Sequence, residues 1–380
     1  MRVCLLVSDF SDRMAGGIGT YVHILAQGLS SKGHEVIVFS PNCTGRSKSS
    51  YAVIPLGDGR SHGKGRLELS LLFLDAVRRL HAQAPLSIVE ATDWGMEGFH
   101  CVHAREFPTV VRMHTPHSLV TELNGGSRRR DAETVAGAEA EYFNSARYFS
   151  APSAAVAKLF RTRYAVPSER ITVIPNPYSI ERSKGDLTDA SLARSHFRIV
   201  FFGRLERRKG VYVLAEALRS LLNSYSDVEV EFIGPDTRRA NSSVGKELQA
   251  SLSAWRNRIR FRGHLKGAEK YAALRLAHCI VLPSLWENFP YACLEAMASE
   301  RPVIATSGSG FEEIIEPGCS GVLVPPDNPA MLAGAMLDVM EGRYPGLGTS
   351  ARKRVRDFDA PKIVSRIENF YREIITRHAT

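Results

Sequence analysis

Short apolar runs recur along the chain, separated by amphipathic stretches, in the rhythm of strands alternating with helices. In the first half Arg2 to Ser8, Glu35 to Ser40, Leu86 to Glu90, Thr109 to Met113, Tyr148 to Ser150 and Ile171 to Ile174 read as strands. Between the first two, Ile18, Tyr21, Val22, Leu25, Ala26 and Leu29 fall at i, i+3, i+4, i+7, i+8 and i+11, a helix with one apolar face, which Gly33 ends. From Asn176 to Arg198 the pattern lapses into a polar, turn-rich stretch with the character of an interdomain linker. A second series follows, with Ile199 to Gly203, Val228 to Ile233, Ile259 to Arg262, Cys279 to Leu282, Val303 to Ala305 and Gly321 to Val324 as strands. Alternating strands and helices imply parallel sheets covered on both faces, so the expected architecture is two α/β/α domains, residues 1–180 and 181–360. After Pro361, Ile363, Val364, Ile367, Phe370, Tyr371, Ile374 and Ile375 mark an amphipathic helix, 361–378, expected to pack back on the first domain.

Composition narrows the class. The 380 residues exceed one comfortable core, and 44% hydrophobic with 23% charged residues excludes a disordered or fibrous chain. No apolar run approaches the roughly 20 residues that span a bilayer, and the N-terminus reads as a first strand rather than a signal peptide, so a cytoplasmic location is expected. Six cysteines show neither metal spacing nor disulfide density, and neither zinc nor a bridge is expected. With 49 basic against 40 acidic residues the net charge is +9, which points to an anionic partner. Nucleic acid is disfavoured, because the basic clusters are not interleaved with aromatics and no recognition motif is present. Arg128-Arg129-Arg130, in an expected loop, would suit peripheral contact with an anionic membrane.

Five stretches carry candidate chemistry at strand ends, where open α/β sheets bind ligands. Gly16-Gly17-Ile18-Gly19 follows the first strand and opens the first helix, whose free amides suit an anion. It is not the dinucleotide fingerprint: Val22 replaces the last glycine, seven residues from Asp9 to Ala15 precede it, and the second strand ends without a carboxylate. A P-loop motif is also absent from the sequence. Arg204 and Lys209, in Gly203-Arg-Leu-Glu-Arg-Arg-Lys-Gly210, hold the equivalent place in the second half and could clamp a diphosphate, one as a fork and one as a point charge. His114 ends the strand Thr109 to Met113, its imidazole either facing a cleft or closing a local hydrogen bond, and Glu90 and Asp93 end another, where they would contact an acceptor or merely cap a helix. Glu287 and Glu295 stand eight positions apart where a strand gives way to a helix, and ionised carboxylates suit the hydroxyls of a polyol.

The order of these parts resembles glycosyltransferase family 4 over nearly the whole chain. The best stretch runs from Arg262-Gly263 through Pro283-Ser284, Glu287 to Glu295, Arg301-Pro302-Val303-Ile304 and Glu313 to Gly321, ending at Val324. The resemblance implies the GT-B architecture, two Rossmann-like domains facing a cleft, and retaining, metal-independent transfer of a hexosyl-type unit from a nucleotide diphosphate sugar to an acceptor hydroxyl. It implies no cofactor, and His114 and Glu287 as the catalytic pair, with Glu287 on the transferred sugar. Donor binding would fall to Gly16 and Gly17, Arg204 and Lys209 at the diphosphate, Arg262 and Gly263 at the base, Asn288 and Phe289, and Glu295 at the ribose. A saccharide, lipid-linked or small-molecule acceptor is expected, in polysaccharide, lipopolysaccharide or glycolipid synthesis. Two positions depart from the family's usual pattern: Pro290 and Glu300 each stand where it has Gly. A nucleotide-sugar epimerase of similar architecture and a non-catalytic binding module for nucleotide sugars or membrane surfaces are the alternatives.

Overall fold

The computed structural model describes residues 1–8, 10, 16–43, 50–56, 65–126, 130–180, 196–239 and 242–379. The chain divides into two compact units. The first comprises Met1–Glu122, Ser127–Tyr178 and Phe358–Thr380, and the second Leu123–Gly126 and Ser179–Asp357.

The first unit is built on seven strands: β1 (Arg2–Leu6), β2 (Glu35–Ser40), β3 (Ala52–Pro55), β4 (Ile88–Thr92), β5 (Thr109–Arg112), β6 (Tyr148–Ala151) and β7 (Ile171–Val173). They form one sheet in the order β3-β2-β1-β4-β5-β6-β7, every neighbouring pair parallel. Its helices are α1 (Gly16–Ser31), α2 (Arg66–Gln83), α3 (Phe99–Ala104), α4 (His117–Leu123), α5 (Arg130–Ser145) and α6 (Ala154–Tyr164). Edge strand β3 escapes the hydrophobic pattern because Val53 alone of its four residues is buried. Helix α1 turns Tyr21, Val22, Leu25, Ala26 and Leu29 inward, the face its periodicity predicts.

In the second unit β8 (Phe197–Phe202), β9 (Val228–Ile233), β12 (Ile259–Gly263), β13 (Cys279–Leu282), β14 (Val303–Thr306) and β15 (Val322–Val324) form a parallel sheet in the order β12-β9-β8-β13-β14-β15. A two-strand antiparallel ribbon, β10 (Arg238–Arg239) with β11 (Ser242–Ser243), stands apart from it. The helices are α7 (Val211–Ser224), α8 (Val244–Ser251), α9 (Gly267–Arg275), α10 (Tyr291–Ala298), α11 (Phe311–Ile314), α12 (Pro329–Met340) and α13 (Leu347–Val355). One face of the sheet buries Ile199, Phe201, Val230 and Phe232 against Leu214, Leu218, Leu248 and Met336. Both sheets thus have the doubly wound form that places loop-borne chemistry at the strands' carboxyl ends.

The last helix, α14 (Ala360–Ala379), belongs to the first unit. It buries Ile363, Val364, Ile367, Tyr371 and Ile374. Tyr178 and Phe358, where the chain leaves that unit and re-enters it, are joined by a hydrogen bond from Tyr178 N to Phe358 O of 2.8 Å. Residues 181–195 of the expected linker, the loop before Gly16, and the side chains of Arg128-Arg129-Arg130 lie outside the described residues. Among the described residues no helix is long and apolar enough to cross a membrane.

Candidate functional site

In the second unit three loops at the carboxyl ends of β8, β13 and β14 press backbone against backbone. Gly210 ends the turn after β8 at φ +67°, and a Cβ there would lie 1.7 Å from the Pro283 carbonyl oxygen. Gly310 meets Asn288 in the same way, its Cβ position 1.7 Å from that residue's carbonyl oxygen. Leu285 N donates to Arg208 O at 2.8 Å, and Gly310 N donates to Glu287 O at 2.8 Å. These bonds fix the backbone on either side of Glu287.

The side chains converge accordingly. Glu287 is 5% exposed and holds a charged hydrogen bond from Lys209 Nζ on Oε1, shared with Ser284 Oγ at 2.8 Å. Arg208 Nη1 stands 3.8 Å from the other carboxylate oxygen, and its Nη2 pairs with Glu206 at 2.8 Å. Arg204 reaches Glu206 at 3.5 Å but remains more than half exposed, which leaves its guanidinium available to an anion. Burial alone would raise the pKa of Glu287, yet Lys209 and Arg208 outweigh it and hold the carboxyl below its usual range. Burial also lowers the pKa of Lys209, with Arg208 and Arg204 adding to that and Glu287 opposing it. The cluster is an ionised carboxylate inside a group of three cations, able to release a cation to an incoming diphosphate and a carboxylate oxygen to a hydroxyl.

Glu295 lies farther along α10, its Oε1 paired with Lys270 Nζ at 2.5 Å. Phe289 is 1% exposed, so its ring is core and only its backbone faces the loop. Asn288 Oδ1 accepts from Phe289 N and shapes the entry to α10. Pro290 supplies the extended N-cap of that helix, a position that needs no amide donor for the helix itself. Gly263 ends β12 at φ +68°, beside a register shift. Arg262 pairs with the buried Glu231 at 3.2 Å. Sequence reading passed over Arg208, Glu206, Ser284 and Lys270. The basic turn and the helix surface that carry them look solvated in sequence, and only the convergence of distant loops buries them.

In the first unit His114 follows β5 and is 2% exposed, with Tyr21 edge-on at 5.4 Å between ring centres. Burial, and then the Arg112 charge, lower its pKa to about 3, so the imidazole is neutral at ordinary pH. Its Nε2 has no hydrogen-bond partner among the described residues. Gly16, at φ +83°, and Gly17 open α1 and are exposed, as an anion contact through the helix amides requires. Asp93 is fully enclosed; burial pushes its pKa well above the usual value, offset only in part by the nearby His114 amide. Its oxygens lack a well-formed hydrogen bond among the described residues, which leaves the charged form poorly compensated.

Glu90 is not on an acceptor surface. It is 3% exposed, and its two oxygens accept from Tyr21 Oη at 2.9 Å and from Tyr371 Oη of α14 at 2.7 Å. A carboxylate at a strand end looks the same in sequence whether it faces solvent or core, and the partner that decides the matter lies 281 residues away.

Comparison with known proteins gives a consistent result. Residues 15–182 match the family profile described as Glycosyltransferase Family 4, and residues 196–342 match Glycosyl transferases group 1. A phosphatidyl-myo-inositol mannosyltransferase of Mycobacterium leprae is 27% identical over 98% of this chain and 96% of its own. Sucrose-phosphate synthase from Thermosynechococcus elongatus superposes with a TM-score of 0.79 at 22% identity, covering 99% of both chains. Anabaena HepE, in its complex with UDP-glucose, gives a TM-score of 0.77 at 19% identity over 98% of this chain and all of its own (100%). The two structures are GT-B proteins, and their likeness establishes that fold here.

Proposed function

The chain belongs to glycosyltransferase family 4 and is a glycosyltransferase of GT-B fold, and on that premise we propose a retaining, metal-independent transfer from a nucleotide diphosphate sugar to an acceptor hydroxyl. The observation that carries the proposal is the ionised Glu287 held by Lys209 and Arg208 at the strand ends of the second unit, with Arg208 and Arg204 sharing Glu206 beside it.

As the bond from the anomeric carbon to the diphosphate breaks, negative charge grows on the leaving oxygens. Arg204 and Lys209 stabilise that charge better in the transition state than in the ground state, the task a divalent metal performs in other sites. Donor binding draws Lys209 toward the diphosphate. That frees the Glu287 oxygen it held for a hydroxyl of the transferred sugar. Glu295 takes the ribose hydroxyls, and the backbone at Arg262 and Gly263 meets the base. The neutral His114 contributes a hydrogen bond to the sugar rather than a proton. Acceptor attack from the face the leaving group vacates, through an oxocarbenium-like ion pair, retains configuration.

The relative named as a mannosyltransferase of phosphatidyl-myo-inositol supports a hexose donor and a lipid acceptor, in glycolipid synthesis at a membrane face. The test is mass-spectrometric detection of sugar products from UDP-, GDP- and ADP-hexoses, with and without polar-lipid and oligosaccharide acceptors, in the presence of EDTA. Acceptor-dependent transfer that survives EDTA, with the anomeric proton coupling of the donor preserved in the product, is expected. An inverted product, or activity abolished by EDTA and restored by magnesium, would overturn the retaining or the metal-independent part. Conversion of a donor to its epimer without acceptor would overturn the assignment of transfer itself.

A further inference from the structure

Nothing in the family assignment explains Lys270. It lies on α9, yet its ammonium is directed at Glu295 on α10, 2.5 Å from Oε1, and 4.5 Å from the ring centre of Tyr271. The pair is sheltered, with side-chain exposures of 16% and 21%. Glu295 Oε2 has no hydrogen bond among the described residues. A sheltered carboxylate held by one oxygen has its plane fixed and the other oxygen free as an acceptor. The ammonium, with three N–H donors and one spent on Glu295, keeps donors beside it. One acceptor and one donor side by side match a vicinal diol, in which each hydroxyl can both give and accept a hydrogen bond.

The geometry points to Lys270 as a positioning residue that makes the Glu295 subsite selective for the cis-diol of a ribonucleotide. The inference rests on the reading of Glu295 as the ribose contact. Lys270 orients that carboxylate and supplies the second half of the diol recognition. A neutral side chain at 270 leaves Glu295 free to rotate and removes a donor, so the penalty falls on ligands that carry the hydroxyls. An ammonium that merely attracted the diphosphate would act equally on nucleotides with and without them.

The experiment is calorimetric titration of the intact protein with whichever of UDP, GDP and ADP binds best, and with the 2′,3′-dideoxy form of the same nucleotide. Wild type is expected to prefer the ribonucleotide by about 10- to 100-fold, the worth of hydrogen bonds to charged groups. In Lys270→Met the preference should fall to within about threefold, through loss of ribonucleotide affinity and with the dideoxy affinity nearly unchanged. Lys270→Arg, which keeps a charged donor, should recover part of it. Circular dichroism and melting of both variants establish that they are folded. Equal weakening of both nucleotides in a folded Lys270→Met overturns the proposal. So does discrimination that is lost in Glu295→Gln but kept in Lys270→Met, a result that leaves the ribose reading of Glu295 standing. Absence of discrimination in wild type removes the ribose reading and the proposal together.

Discussion

His114 and Lys209 show how burial sets the chemistry of single residues. An imidazole with its pKa near 3 in the folded state and an ordinary value when unfolded binds fewer protons folded than unfolded as the pH falls below about 6.5. The stability it allows is therefore complete above that pH and is lost as the pH falls toward 3. Relative to His114→Gln, which has no proton to gain, wild type should lose about 1.4 kcal/mol per pH unit below 6.5. Urea titrations of both proteins at pH 7.5, 5.5 and 4.5 read this as a difference that grows with acidity, and a constant difference would show that His114 titrates normally. For Lys209→Ala the expectation concerns rate. The variant should stay folded while turnover falls about 10²- to 10³-fold, the usual consequence of removing one preorganised charge stabiliser, and wild-type turnover would end that role. These two residues were legible in the sequence because they sit where strands end in conspicuous turns. Glu90 sat in an equally conspicuous place and proved to be core, because the hydroxyl of Tyr371 that claims it comes from the far end of the chain. Lys270 and Arg208 stayed hidden for the opposite reason: nothing in a basic turn or a charged helix surface announces a partner brought there by folding.

At the scale of elements, the strands were the most legible part. A parallel strand is apolar on both faces and stands out as a run, whereas β3, with a single buried residue, does not. The turns are where local sequence and tertiary packing meet, and two left-handed positions make a matched test. Gly210 at φ +67° abuts the Pro283 carbonyl, so Gly210→Ala adds left-handed strain to a backbone clash and should cost roughly 3 kcal/mol or more, along with activity, by separating the loops that carry Lys209 and Glu287. Glu300 adopts nearly the same backbone, φ +57°, without being glycine. Here the family's usual residue has a physical reason, since a side chain at this φ is strained. Glu300→Gly forfeits an exposed ion pair to Arg352 worth little, and should still raise stability by about 0.5–1 kcal/mol. Denaturation midpoints of the two variants are expected to move in opposite directions. A destabilised Glu300→Gly would mean that the Arg352 pair outweighs the strain.

The whole molecule is made of two discontinuous units, the first of three segments and the second of two, 123–126 and 179–357. Residues 179–357 leave and return at one point, where Tyr178 and Phe358 are hydrogen-bonded, and the final helix then completes the unit that the first residues began. That helix is held by an apolar face and by polar ties that include Tyr371 to Glu90, Glu368 to Lys32 and His34, and Arg366 to the Val173 carbonyl. The first tie differs from the others in being wholly buried. Burial raises the pKa of Glu90, and Arg112, Tyr371 and Tyr21 in turn oppose that rise. Glu90 is 3% exposed and Tyr371 fully buried, so removing one hydroxyl leaves a buried carboxyl oxygen unsatisfied, and Tyr371→Phe should cost about 1–3 kcal/mol although only one oxygen atom is lost. The effect should be local before it is global. Amide hydrogen exchange in α14 is expected to accelerate ahead of exchange in β8, β9 and β13, because the helix belongs to the first unit and those strands to the second. Uniform acceleration across both units would instead mean that the helix and the inserted unit unfold as one cooperative body. Pairing the variant with Glu90→Leu, which removes the stranded acceptor, should recover part of the loss if the unsatisfied oxygen is its cause.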